Sequence, residues 1–156
     1  MLRRLRFPLA ILAAVFVALQ LVPHGRDHTN PPVVADAPWP SAEARRLAVA
    51  ACYDCHSHET RWPPYSWVAP FSWLVTRDVD QGRDDLNFSR WDEDGDRADK
   101  AAEEMEDGTM PPRRYELAHP GARLSAAERQ QLIDALTAME GGDRGNGRRG
   151  SNSSRR

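Results

Sequence analysis

Cys52-Tyr53-Asp54-Cys55-His56 gathers the residues best suited to chemistry in this chain of 156. Cys-x-x-Cys-His is the attachment sequence for c-type haem. Two thiols at that spacing can add to the two vinyl groups of one porphyrin, and the adjacent histidine can reach the iron as an axial ligand. Cys52 and Cys55 are the only cysteines, so no other thiol competes for the role. Three other chemistries fit less well. A thioredoxin-like dithiol needs flanking βαβ structure, which the pattern here lacks. A structural zinc site needs a second pair of ligands, and His58 is too close behind His56 to share its helical face. A plain disulfide leaves the adjacent histidine without a purpose.

A second iron ligand could come from Met105, Met110, His119 or Met139. Met139 falls on the apolar face of the last predicted helix, where core packing accounts for it. Met105 lies within an acidic helix. Met110 follows Gly108 on a loop and precedes Pro111 and Pro112, so its thioether can approach iron free of helical constraint. It is the preferred distal ligand, with His119, Met105 or no protein ligand as alternatives. A thioether partner raises the reduction potential relative to a second histidine. Trp62, Tyr65, Trp67 and Trp73 could line the pocket, although core packing explains them nearly as well. Arg61 could meet a haem propionate through its charge.

The elements that position these residues read as helices. Ser41 is a plausible N-cap, with Glu43 in the first turn of a short helix running toward Cys52. Arg61-Trp62-Pro63-Pro64-Tyr65 must be a loop, because two prolines remove donors. A second helix starts near Pro70, and Phe71, Leu74, Val75 and Val79 give it an apolar stripe. Gly82 weakens its end. Asp96 to Asp107 forms a helix ending at Gly108. Ser125-Ala126-Ala127-Glu128 is a capping box. The helix it opens carries Leu132, Ile133, Leu136 and Met139 on one face and ends at Gly141. The acidic cluster Asp92 to Asp96 has its glycine one ligand too early for a calcium loop and no glutamate at the required offset. With no strand-like alternation, the domain is predicted to be all-α.

Arg3, Arg4 and Arg6 precede an apolar run from Phe7 to Val22, broken only by Gln20. Sixteen residues of helix cover ~24 Å, short of a ~30 Å hydrocarbon core. Leu2, Leu5 and Pro23 could extend the run while the arginines snorkel. No small-x-small cleavage site follows closely, so an uncleaved anchor is favoured over a cleaved signal peptide. The charge bias places the N-terminus in the cytoplasm and the rest outside. That location suits covalent haem attachment, which in bacteria takes place on the outer side of the cytoplasmic membrane. The expected divisions are a basic cytoplasmic stub at 1–6, a transmembrane anchor or uncleaved signal at 7–23, a linker at 24–40, a haem-binding domain at 41–140 and a disordered tail at 141–156.

From Asp27 to Glu140 the chain holds 22 acidic and 12 basic residues. That balance argues against nucleic-acid binding, which needs a basic patch. It is compatible with a basic redox partner.

The chain resembles the small, membrane-anchored haem-binding domain proteins of bacteria. The matching stretches are Cys52-Tyr53-Asp54-Cys55-His56-Ser57, Thr60-Arg61-Trp62-Pro63, Ala69-Pro70-Phe71-Ser72-Trp73-Leu74, Gly82-Arg83, and Leu86-Asn87-Phe88-Ser89. Met110-Pro111-Pro112, Tyr115, and His119-Pro120 leading into Leu124-Ser125 also match. The likeness covers about 110 residues, and the Asn-Phe-Ser and Met-Pro-Pro stretches narrow it beyond c-type cytochromes in general. It implies a cytochrome c-like helical domain with one covalent haem c. Cys52 and Cys55 would be the attachment sites, His56 the proximal ligand and Met110 the distal one. The chain departs at Asp78, where many relatives carry histidine; any iron-ligating or proton-handling role of that histidine is absent here.

The function expected is one-electron transfer by a single-pass monohaem cytochrome of the bacterial cytoplasmic membrane, its C-terminal domain on the periplasmic side among membrane or periplasmic redox partners. An electron carrier fits better than an enzyme. The alternative is a haem-based sensor or small peroxidase with an open sixth iron position.

Overall fold

The computed structural model describes residues 2–150. Eight α-helices follow one another, with no strand among the described residues. They are α1 (Leu2–Gln20), α2 (Ala42–Ala51), α3 (Tyr53–His56), α4 (Phe71–Asp85), α5 (Trp91–Asp94), α6 (Ala98–Glu106), α7 (Arg113–Ala118) and α8 (Ala126–Gly150). Short 3-10 turns at Pro64–Trp67, Gly95–Arg97 and Pro120–Ala122 join them.

Local signals set most boundaries. The Ser41 hydroxyl accepts from the Ala44 N–H at 3.0 Å, capping α2. Ser125 and Glu128 form the reciprocal capping box of α8: the Ser125 N–H donates to Glu128 at 2.9 Å, and the Glu128 N–H to Ser125 Oγ at 3.3 Å. Gly108 follows α6 with φ of 71°, the left-handed conformation that reverses the chain. Leu132, Ile133, Leu136 and Met139 are all buried, as the helical spacing of α8 requires. They pack with Leu47, Tyr53, Phe88 and Met105 into one core. Within it the Tyr53 and Phe88 rings stack at 5.4 Å.

Three segments differ from expectation. The last helix continues past Gly141 to Gly150; residues 151–156 of the expected disordered tail lie outside the described residues. The stretch from Pro23 to Pro40 runs along the domain. Val34 and Ala35 N–H groups donate to the Ser89 carbonyl, Ala37 N–H donates to that of Phe88, and the Trp39 indole donates to the Tyr53 hydroxyl.

The N-terminal segment overturns the expected membrane anchor. No helix among the described residues is long and apolar enough to cross a membrane. Helix α1 stops at Gln20, which leaves Leu21 and Val22 outside it. Its apolar part, from Phe7 to Leu19, spans only about 20 Å at 1.5 Å per residue, against a ~30 Å hydrocarbon core. The Gln20 side chain is engaged by the domain: its amide donates to the Ala69 carbonyl and accepts from the Ala69 N–H, both at 3.0 Å. The transmembrane part of the expected fold fails here. The placement of the domain on the periplasmic side of a membrane, which rested on that span, fails with it.

Candidate haem site

Helix α3 is the Cys-x-x-Cys-His turn itself, and α4 packs directly against it. Gly82 makes the approach possible. A Cβ there would lie 2.6 Å from the Cys55 carbonyl oxygen, closer than any side chain tolerates. The glycine weakens helix propensity, yet α4 runs on to Asp85 because it is packed here.

His56 is held by this contact. Its Nδ1 lies 2.8 Å from the Gly82 carbonyl oxygen and 3.1 Å from that of Leu86. Carbonyls only accept, so Nδ1 carries the proton and Nε2 keeps its lone pair. Burial holds the ring below the usual histidine pKa, which keeps it neutral. The other two histidines near the motif have no such free nitrogen. His58 Nδ1 donates to the Pro32 carbonyl at 2.7 Å, and its Nε2 accepts from Asn87 at 2.9 Å. His119 Nδ1 lies 3.1 Å from the Tyr115 carbonyl, and its Nε2 3.3 Å from the Tyr65 hydroxyl.

The strap from Leu86 to Ser89 fixes the turn from the other side. Phe88 N–H donates to the His56 carbonyl at 2.8 Å, and His58 N–H donates to Ser89 Oγ at 2.9 Å. Arg83 bonds the Ser57 carbonyl, the Thr60 hydroxyl and the Asn30 side chain. The Asn-Phe-Ser and Gly-Arg stretches thus have a common structural reason: both immobilise the cysteine-histidine turn.

A cavity of about 660 Å³ opens against that turn, within the ~300–1,000 Å³ of ligand pockets. Cys52, Cys55 and His56 line one side, and Phe71, Leu74, Val75 and Val79 continue the wall along α4. The predicted apolar stripe is therefore only partly a core stripe. Val79 is 2% exposed, but Phe71 is 55% and Leu74 42%. Met105, Met110, Tyr115 and His119 also line the cavity. Met139 is buried in the core instead. Of the four aromatics expected to line the pocket, Tyr65 does so. Trp62 and Trp67 pack against His28, with ring centroids 4.4 and 4.2 Å away.

Burial pushes the Cys52 thiol up to about 12 and the Cys55 thiol up to about 11. For Cys55 the carboxylates of Asp78 and Asp54 add to the effect. Both stay protonated at neutral pH, the opposite of a dithiol tuned for exchange. No group of three or more His, Cys, Asp or Glu side chains among the described residues could hold a bare metal ion.

Some partnerships were not visible in the sequence. Arg61 does not stand free for a propionate. It binds Asp54 inside the cysteine motif, through its N–H at 3.1 Å and Nε at 3.0 Å. The Tyr115 hydroxyl donates to the same carboxylate at 2.7 Å. Asp78, on α4, pairs with Arg114 of α7 at 3.0 and 3.1 Å. These pairings join the cysteine turn and α4 to the segment after Met110, across 61 and 36 residues of chain respectively. Only the Tyr115 match within the resembling stretches hinted at them.

An all-helical domain with an apolar cavity, two thiols and a histidine nitrogen on its wall defines a small cofactor-binding protein. The sequence model described as haem-binding domain matches residues 14–138, and this chain belongs to that family. Haem is therefore its cofactor. No curated protein and no solved structure matches the chain.

Proposed function

We propose that the haem is held covalently, as haem c, through thioethers to Cys52 and Cys55, with His56 as proximal ligand and Met110 as distal ligand. The observation that carries this reading is the His56 ring. Its Nδ1–H is spent on two backbone carbonyls, on the wall that both cysteines share. A ligating histidine needs this arrangement, which fixes the tautomer and orients the ring. Each thiol adds S–H across one vinyl C=C, so no leaving group is required. Met105 and Met110 both line the cavity, but Met110 sits on a loop, while Met105 is 2% exposed within α6 and packed in the core.

The iron of the bound group supplies a one-electron redox change. The chain's residues supply two ligands, an apolar wall from α4 and a fixed turn. Redox partners docking near this cavity follow from the same reading.

The test is expression with a haem-attachment system, followed by a haem-stained denaturing gel and a pyridine haemochrome spectrum. A haem that stays with the denatured chain, with a spectrum of two saturated vinyl positions, is expected. A haem lost on denaturation would overturn covalent attachment while leaving haem binding intact. The Met110→Ala variant should lose the sulfur-to-iron charge-transfer band of the ferric protein. If the wild-type protein lacks that band, Met110 is not the ligand; a high-spin ferric spectrum then marks an open sixth position and replaces the carrier with a sensor or peroxidase, whereas a low-spin one points to His119.

A further inference from the structure

Arg129 lies on α8, outside the cavity wall and 73 residues beyond His56. Its Nη1 donates to the carbonyl of Met105 at 2.9 Å and to that of Met110 at 3.1 Å. Its Nη2 faces the Glu116 carboxylate of α7 at 3.8 Å. One guanidinium therefore touches the last turn of α6, the loop methionine and the helix that follows. The planar fork of arginine can serve several acceptors at once, where lysine offers only a point charge.

The rest of the loop is gripped in a complementary way. The Thr109 and Met110 N–H groups both donate to the Glu104 carbonyl at 3.1 Å. The Thr109 hydroxyl donates to the same oxygen at 2.8 Å. Both backbone groups of Met110 are thus engaged, the N–H by α6 and the C=O by Arg129. Arg129 is itself seated in the first turns of α8, where its N–H donates to the Ser125 carbonyl at 2.9 Å.

We propose that Arg129 is the positioning residue for the distal iron ligand: it clamps the 105–116 segment so that the Met110 sulfur is held at the cavity. The proposal rests on the reading of Met110 as distal ligand. A clamp on the backbone changes how readily the thioether leaves iron without touching the iron, the porphyrin or the sulfur. Its loss frees the loop, and an external ligand then displaces the methionine at lower concentration.

The experiment titrates the ferric holoprotein with imidazole and follows the sulfur-to-iron charge-transfer band. In Arg129→Gln the midpoint should fall about tenfold, the scale of losing hydrogen bonds from a charged donor. Arg129→Lys keeps the charge and one donor direction, and should fall between the two. Thermal unfolding of the imidazole-saturated proteins, in which the methionine is already displaced, separates loop positioning from general stability. Midpoints equal to wild type in both variants would overturn the clamp while Met110 ligation stands, provided Met110→Ala abolishes the band. A band that survives in Met110→Ala would overturn the Met110 reading and the clamp together. If Arg129→Gln does not fold, Arg129→Lys decides the matter alone, with an unchanged midpoint counting against the proposal.

Discussion

Two stretches that line the cavity are built by different means. The stretch from Cys52 to His56 with α4 is held largely through backbone groups: His56 on two carbonyls, Phe88 N–H on the His56 carbonyl, and Gly82 pressed on Cys55. The stretch from Met105 to Tyr115 is held largely by side chains: Arg129 to Met110, Tyr115 to Asp54, Arg114 to Asp78. Backbone contacts are dictated by helix packing and change little from one state to another. Side-chain contacts can be exchanged singly, so the Met110 stretch can be adjusted without disturbing the cysteine-histidine turn.

The sharpest break of this comparison removes the two thiols. Cys52→Ala with Cys55→Ala should abolish covalent haem entirely on a stained denaturing gel, and any remaining covalent haem would place attachment elsewhere. Next is Gly82→Ala. Helix propensity alone predicts a gain of ~1 kcal/mol. The 2.6 Å approach to the Cys55 carbonyl instead predicts a loss of about 2–3 kcal/mol from overpacking. A stabilised variant in denaturant unfolding would show that α4 does not press on the turn.

Tyr115→Phe tests the joint between the two stretches. Losing the 2.7 Å bond to Asp54 should cost about 1–2 kcal/mol, since Arg61 still pairs with that carboxylate. It should also alter the alkaline limit. Burial and the Asp54 charge hold the Tyr115 phenol well above its ordinary value in the folded state. The unfolded chain then loses its proton first, so stability is full below pH ~10 and falls as pH rises beyond it. The wild-type protein should lose stability above that point more steeply than Tyr115→Phe; equal slopes would remove the phenol from the joint. The smallest effect is expected for Ser125→Ala, which uncaps α8 for about 1 kcal/mol. It should lower the unfolding midpoint and leave the haemochrome spectrum unchanged.

The helices α2, α4, α6 and α8 were legible because caps and apolar spacing act over a few residues. The short α7 was not, since the segment from Arg113 to Ala118 has no side-chain cap and no buried face of its own. The apolar stripe of α4 was legible as a stripe, but not as a cavity wall. Apolar spacing reports that a face avoids water and is silent on what covers it. Arg61 shows the same limit. Its charge was evident, but its partner Asp54 was chosen by the fold of the turn.

The N-terminal helix marks where a one-dimensional reading failed. Phe7 to Val22 is a nearly unbroken apolar run, yet the helix ends at Gln20, whose amide is taken by Ala69. No span long enough for a membrane remains among the described residues. By itself the sequence determined the helical class and the Cys-x-x-Cys-His turn, because these depend on residues within a few positions of one another. The free nitrogen of His56, the methionines that reach the cavity and the arginine that holds the Met110 loop were decided only by tertiary structure. Each depends on groups that become neighbours only when distant segments pack together.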